Sequence, residues 1–159
     1  MFGVEINDGV PVQLAYDQHI AHIRTKVSSK NNGRIADLFR ALAESEVNLD
    51  MVMIEPGEIR FTAAANMLSK TCQIVNTLGY QAEFAPQCAK VHIQGGRPAD
   101  RSVIVASATK VLSRANIPVL QIAESCGTLA ILVKENHLSF ALTALSRELT
   151  DNPSFKREG

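Results

Sequence analysis

The sequence predicts an α+β chain made of two βαββαβ units, each a four-stranded antiparallel sheet with its helices on one face. Two observations support this fold class: strand and helix patterns follow one another in that order, and the order returns 70 positions later without gaps. Leu42 corresponds to Leu112, for example, and 66–69 to 136–139. A chance match would lose its register between elements, so we interpret the repeat as a duplication.

The first unit begins with a strand at 21–27, and apolar residues then recur at helical spacing as far as Glu46. Strands follow at 47–53 and 59–63, where strand-forming residues and period-two alternation are found. A second amphipathic helix ends at Gly79, which we predict to form a left-handed cap. The unit closes with a strand at 81–85 that Pro86 is expected to end.

The second unit repeats this order with a strand at 91–94, a helix at about 102–115, strands at 118–123 and 128–134, and a helix that extends to Leu149. The β-branched run at 103–105 has low helix propensity, so the first of these helices is predicted from the repeat alone.

The second unit has no fourth strand of its own, because the chain after Leu149 is polar and short. An alternating strand at 10–17 precedes the first unit, which already has four strands. We therefore predict that this N-terminal strand completes the second unit and covers its open edge. The expected domains are 19–87, inserted within a unit made of 10–18 plus 88–149, with flexible ends at 1–9 and 150–159.

Composition excludes several classes of protein. The 159 residues carry 16 basic and 16 acidic side chains, a balance that disfavours nucleic-acid binding. Neither an apolar run of membrane-spanning length nor a signal-peptide pattern is present, so a cytoplasmic protein is expected. The three cysteines have no metal-ligand spacing and are predicted to be reduced thiols. The histidines also lack that spacing, and we predict His22 and His92 to be solvated; no metal or cofactor is expected.

Three segments resemble the paired ACT domains at the C-terminus of aspartokinases. They are AYDQHIAHI at 15–23, GRIADLFRALAESEVNLDMV at 33–52, and QCAKVHI at 87–93, which is similar to the entry of the second ACT domain. The likeness extends from about residue 10 to 149, nearly the whole chain. It implies two ferredoxin-like units, with the first inserted in the second.

The resemblance also implies a function. It indicates a non-catalytic, amino-acid-sensing module similar to the allosteric regulatory subunit of aspartate kinase in lysine, threonine and methionine biosynthesis. Homodimerisation, a kinase catalytic subunit as partner, and lysine or threonine as effector are expected by analogy. The implied effector-binding residues lie at the loop before the first helix and at the following strand: Lys30, Asn31, Asn32, Gly33, Ile35 and Asn48. Free N–H groups at a helix N-terminus suit the effector carboxylate.

Two alternatives remain open. Lys30 stands where the family usually has aspartate, and a cation facing the effector's ammonium is unfavourable. This favours a structural ACT assembly subunit that has lost its ligand. Asn-Asn-Gly before a helix is also common as a turn and N-cap sequence where no ligand binds. The other alternative is a small acylphosphatase-like hydrolase, in which Arg24 would bind phosphate and Asn48 would lie opposite.

Overall fold

The computed structural model describes residues 2–4, 12–27, 32–97 and 100–151. Its elements are β1 (Phe2–Val4), β2 (Val12–Lys26), α1 (Asn32–Glu44), β3 (Asp50–Glu55), β4 (Glu58–Ala64), α2 (Leu68–Thr77), β5 (Gln81–Gly95), α3 (Arg101–Arg114), β6 (Gln121–Ser125), β7 (Thr128–Lys134) and α4 (Leu138–Asp151). The predicted flexibility of 5–9 and 152–159 concerns segments outside the described residues.

The chain divides into two compact units, which we call the inserted unit (19–88) and the split unit (1–18 with 89–159). Two long strands contribute to both of them. β2 supplies its first residues, as far as Gln18, to the split unit and the rest to the inserted unit, whereas β5 passes from the inserted unit to the split unit after Cys88.

The inserted unit has the sheet order β3, β4, β2, β5, and β2 pairs antiparallel with β4 in a register that sets Ile23 opposite Phe61. Alternate residues of the strands face the helices and are buried. The core they form with α1 and α2 includes Ala21, Ile23, Leu38, Leu42, Ile59, Phe61 and Val75.

The split unit has the order β2, β5, β7, β6, so the N-terminal strand supplies the strand that the second repeat lacks. Val12 and Leu14 of β2 are 2% and 1% exposed. They pack with side chains of β5, β7, α3 and α4 in a core that includes Val91, Ile104, Leu112, Ile131 and Leu145. The predicted fold class is confirmed, with its ferredoxin-like units and its N-terminal strand in the second unit.

The duplication is visible in the element boundaries. β4 begins at Glu58 and β7 at Thr128, and α2 and α4 begin at Leu68 and Leu138 after one short 3₁₀ turn each. The β-branched run in α3 is helical, as the repeat predicts. Gly79 has a φ of +75°, and its N–H donates to Asn76 O at 2.9 Å, so the predicted cap is present.

The two strands predicted at 10–17 and 21–27 are a single strand, β2. The core-facing residues are even-numbered up to Leu14 and odd-numbered from Ala21, which made the pattern look interrupted. His19 lies between them with a φ of +58°. One irregular residue of this kind reverses the facing of a strand without ending it.

A residue with positive φ also explains why the prediction that Pro86 ends a strand is wrong. β5 continues through Pro86 to Gly95, and Gln87 has a φ of +58°. Ala82 and Phe84 face the core of the inserted unit, whereas Ala89, Val91 and Ile93 face the core of the split unit. The strand changes the side it presents to the core at Gln87 but stays extended. Proline is tolerated within a strand at an irregular position of this kind.

Two predicted strand starts are also too early, because 47–49 and 118–120 are not strand. At both places the chain is bonded back to the preceding helix: Val47 N–H donates to Leu42 O at 3.0 Å and Ile117 N–H to Leu112 O at 2.9 Å. Glu46 and Asn116, which precede them, have φ values of +58° and +54°. Both places are therefore helix C-caps. Their strand-forming residues are the reason that strands were predicted there.

A further strand was not predicted. β1 lies within the segment expected to be flexible, yet it pairs antiparallel with β2 and sets Phe2 opposite Leu14 and Val4 opposite Val12. Three residues are too few to give a periodic pattern. At the other end, α4 extends two residues beyond the predicted Leu149, to Asp151.

The predicted solvation of the paired histidines is wrong. His22 is 8% exposed, and the His92 side chain is 19% exposed with Nε2 at 2.8 Å from Asp17 Oδ2. Lys90, two residues away on the same face of β5, is also buried, with Nζ 3.9 Å from the same oxygen. The polar face of the split unit's sheet therefore carries a buried lysine and a partly buried histidine, both paired with the exposed Asp17. In the described part of the chain, no helix has the length and apolarity needed to cross a membrane.

Candidate effector site

The predicted effector site centres on the beginning of α1 in the inserted unit. Lys30 and Asn31 lie outside the described residues, and Asn32 and Gly33 are the first two residues of the helix. The first N–H groups of a helix have no partner within it, and the helix dipole adds partial positive charge there. The first turn of α1 contains no acidic residue. This helix start therefore favours an anionic group.

The other two predicted residues have different surroundings. Ile35 is partly buried and packs against the core of the inserted unit. Asn48 is exposed and follows the far end of α1, where Val47 is bonded back to the helix. The helix rises about 1.5 Å per residue, so its 13 residues separate Gly33 from Asn48 by roughly 15–20 Å along its axis. One copy of the chain therefore does not bring the two ends of the predicted site together.

Arg34 and Tyr80 form a clamp on the first turn of α1 that the sequence did not reveal. The Tyr80 hydroxyl donates to Arg34 O at 2.6 Å, and Arg34 Nη2 donates to Leu78 O at 2.6 Å. The guanidinium also lies 5.3 Å from the centre of the Tyr80 ring, within cation–π range. The clamp anchors the helix start to the end of α2, and Arg34 adds a full positive charge to the first turn.

Burial raises the pKa of Tyr80, and the nearby Arg34 charge opposes part of that rise. The phenol is therefore protonated at neutral pH and remains the donor of the clamp. The only sequence signal for this pair was its placement, with an arginine in a first helical turn and a tyrosine directly after a glycine cap.

We expect Tyr80→Phe to lower the free energy of unfolding by about 1 kcal/mol, because it removes one buried hydrogen bond and keeps the ring. Tyr80 holds its proton more tightly in the folded chain than in the unfolded chain. Its contribution to the free energy of unfolding therefore falls as pH rises above about 10. Denaturant unfolding at pH 7 and pH 10.5 measures both effects. Tyr16→Phe, at a tyrosine that is 40% exposed, is the control. Equal stability of the two variants would contradict the clamp.

Thr25 is a second polar feature of the inserted unit. It is fully buried on β2 opposite Ile59, and its Oγ1 has no hydrogen-bond partner within the described residues. Two residues further on, Val27 N–H donates to Gly57 O at 2.9 Å and ties the end of β2 to the β3–β4 turn. A buried hydroxyl without a hydrogen-bond partner lowers the stability of the fold. The Thr25 hydroxyl can still form one more polar contact.

Asp50 is an exposed carboxylate two residues after Asn48. Its Oδ1 accepts from Met51 N–H at 2.8 Å, and its backbone oxygen accepts from Thr62 Oγ1 at 3.0 Å. Met51 has a φ of +48°, and the β3–β4 register shifts between Asp50 and Met53. This bulge fixes the carboxylate at the start of β3. Asn48 and Asp50 together offer an amide and an anion, which suit an ammonium group.

Residues 83–147 match the ACT domain family. Aspartokinase 1 of Bacillus subtilis is 32% identical over 136 residues, which are 79% of this chain and 33% of that protein. The chain therefore carries ACT domains, and over most of its length it is similar to part of an aspartokinase. It spans about a third of the length of this curated relative.

Two solved structures share the fold of the tandem ACT chain. The ligand-free regulatory subunit of aspartate kinase from Thermus thermophilus superimposes with a TM-score of 0.75 at 22% identity, covering 85% of this chain and 95% of that one. A structure of aspartokinase alpha and beta subunits superimposes with a TM-score of 0.77 at 20% identity and the same coverage.

The corresponding helix start in the split ACT unit is arranged differently. Arg101, the first residue of α3, is 9% exposed; its Nη2 donates to Gly127 O at 3.1 Å, and its Nε lies 3.0 Å from Glu124 Oε1. Arg97 forms a two-point ion pair with Asp100 just before the helix. Charged side chains of the ACT unit itself therefore surround this helix start.

The geometry disfavours the hydrolase alternative for this ACT chain. Arg24 Nη2 donates to Glu83 Oε2 at 2.5 Å, and its Nε lies 3.6 Å from Glu58 Oε2. Arg60 also pairs with Glu58. Two carboxylates thus neutralise the arginine that would have to bind a phosphate, and their charge repels that anion.

Proposed function

We propose that this chain is the amino-acid-sensing regulatory module of an aspartate kinase in lysine, threonine and methionine biosynthesis. The observation that carries the proposal is the start of α1: an N-terminus without acidic residues, reinforced by Arg34, in a chain that carries ACT domains and is similar to part of an aspartokinase. Such a helix start suits a free amino acid's carboxylate.

The ammonium group of the effector needs a second set of residues. Asn48 and Asp50 supply an amide and a carboxylate, but they lie at the opposite end of α1 in the same copy. We infer that the chain acts as a homodimer, in which the helix start of one copy faces Asn48 and Asp50 of the other. Asp50 of the other copy then provides the negative charge for the effector's ammonium, which Lys30 cannot provide.

The regulated partner in this proposal is a kinase catalytic subunit or domain. A structure with aspartokinase alpha and beta subunits shares this fold, which supports a partner on a separate chain or the same one. An effector that bridges two copies binds one dimer arrangement more tightly than another. That difference in affinity is what shifts a kinase between active and inhibited states.

A structural ACT assembly subunit without a ligand is the second candidate, and Lys30 favours it. Lys30 precedes α1 by two residues in the sequence, and a positive charge at that position is unfavourable for binding an effector ammonium. The two candidates differ in whether an amino acid binds, not in fold or dimerisation.

Titration calorimetry against the twenty common amino acids tests the proposal. We expect one of them to bind the native chain, and Asn48→Ala to weaken that binding about tenfold through loss of one hydrogen bond to a charged group. Asn66→Ala, at another exposed asparagine of the inserted unit, is the matched control and keeps native affinity. Lys30→Asp should tighten binding.

The absence of heat with every amino acid, for both the native chain and Lys30→Asp, would refute sensing and leave the assembly subunit. Equal loss of affinity in the Asn48 and Asn66 variants would place the ligand elsewhere.

A further inference from the structure

The edge strand β3 contains a bulge. Two of its residues, 51–52, lie opposite the single residue Phe61 of β4. One of the two, Met51, has a φ of +48° and is buried. The left-handed region is uncommon for a residue other than glycine, and more so for a bulky one, so contacts around the bulge must hold Met51 in this conformation.

The internal repeat shows which residues accompany the bulge. In the split unit, β6 and β7 keep one register over their described pairs, and Gln121 lies opposite Leu132. These two residues occupy the repeat positions of Met51 and Thr62, and a leucine also occupies the position of Asp50. The bulged unit therefore has a hydroxyl and a carboxylate where the regular unit has two leucines.

Thr62 and Asp50 are joined by a hydrogen bond across the two strands. The Thr62 hydroxyl donates to Asp50 O at 3.0 Å, and Asp50 Oδ1 accepts from Met51 N–H at 2.8 Å. The first bond ties the backbone of Asp50 to β4, and the second ties its carboxylate to the bulged residue. A carboxylate accepts several hydrogen bonds, so the bond from Met51 is compatible with a contact to an ammonium group.

We propose that Thr62 is a positioning residue of the effector site: it holds Asp50 at the bulge, and the carboxylate of Asp50 meets the effector's ammonium. This inference rests on the proposed function, because it assumes that Asp50 contacts an amino acid. Thr62 is 1% exposed, so it acts through Asp50 and not by touching the ligand. A bond that fixes a charged group in advance lowers the cost of ordering that group when the ligand binds.

Three variants separate this role from a general contribution to stability. Thr62→Val removes the hydroxyl and keeps the branched shape, whereas Thr62→Ser keeps the hydroxyl. Thr71→Val is the matched control, because Thr71 is also fully buried in the inserted unit and its hydroxyl donates to the backbone oxygen of Met67 at 2.8 Å. The control loses the same kind of bond at a position outside the proposed effector site.

Hydrogen exchange of the Met51 amide, measured by nuclear magnetic resonance on the full chain without ligand, reports on the bulge directly. We expect Thr62→Val to speed this exchange about tenfold, because Asp50 loses its anchor and the bond from Met51 N–H opens more often. Thr62→Ser and Thr71→Val should keep the native rate. An unchanged rate in Thr62→Val, or an equal acceleration in Thr71→Val, would overturn the proposal.

Titration calorimetry with the twenty common amino acids, one at a time, measures the effect on binding. For the amino acid that binds the native chain, we expect Thr62→Val to weaken binding about tenfold and the other two variants to keep native affinity. Native affinity in Thr62→Val, or the same loss in Thr71→Val, would overturn the positioning role and leave the proposed function intact. Failure of the native chain to bind any amino acid would refute the proposed function, and the positioning role with it.

Discussion

Replacing Leu14 by alanine is expected to lower the free energy of unfolding by about 3 kcal/mol, the usual cost of removing a buried leucine side chain. Leu14 is 1% exposed and belongs to the core of the split unit, although most of that core comes from residues after Ala89. Loss of its packing should therefore loosen a part of the chain more than 70 residues away in sequence.

Denaturant unfolding measures the energy, and hydrogen exchange locates it. We expect faster exchange in β7 and α4, which share the core with Leu14, and little change in β4. Gln13→Ala, at the exposed neighbour of Leu14, is the control and should be close to neutral. If exchange became faster in β4 than in β7, the N-terminal strand would stabilise the inserted unit, and its assignment to the split unit would be wrong.

Replacing Ile23 by alanine should have an effect of similar size in the other unit. Ile23 is fully buried on the same strand, opposite Phe61, and its truncation leaves a cavity between the sheet and the helices. The expected cost is about 3–4 kcal/mol. Because Ile23 shares its core with Leu38, Leu42 and Phe61, the faster exchange should appear in α1 and β4.

The exposed Lys26 on the same strand provides the control, and Lys26→Ala should change stability by less than about 0.5 kcal/mol. Together, Leu14→Ala and Ile23→Ala test whether two residues nine positions apart on one strand serve different cores. If both variants accelerated exchange throughout the chain equally, the two cores would be one cooperative unit and this division would be wrong.

The fold could be predicted largely because the chain is duplicated. Comparison with the first half supported α3 despite its β-branched run, and counting strands assigned the N-terminal strand to the second unit. The errors occurred where one residue changes the side that a strand faces. His19 and Gln87 have positive φ, a conformation that is uncommon for any residue other than glycine and was not predicted at either position.

The candidate site was less accessible from sequence. The start of α1 follows from its turn signal, but the Arg34–Tyr80 clamp joins residues 46 positions apart and depends on packing. Asp50 gained significance only from the bulge that fixes its carboxylate at the start of β3, two residues after Asn48. The separation of Gly33 from Asn48 reflects the length of α1, so a site that uses both ends needs a second copy.

The most direct test of the central claim is an amide chemical-shift titration of the full chain with single amino acids. The account predicts that one amino acid shifts the resonances of Gly33, Arg34, Asn48 and Asp50 together, with one saturation curve, because its two charged ends contact both groups. Shifts confined to one group, or to residues outside both, would contradict it, as would the failure of every amino acid to shift them.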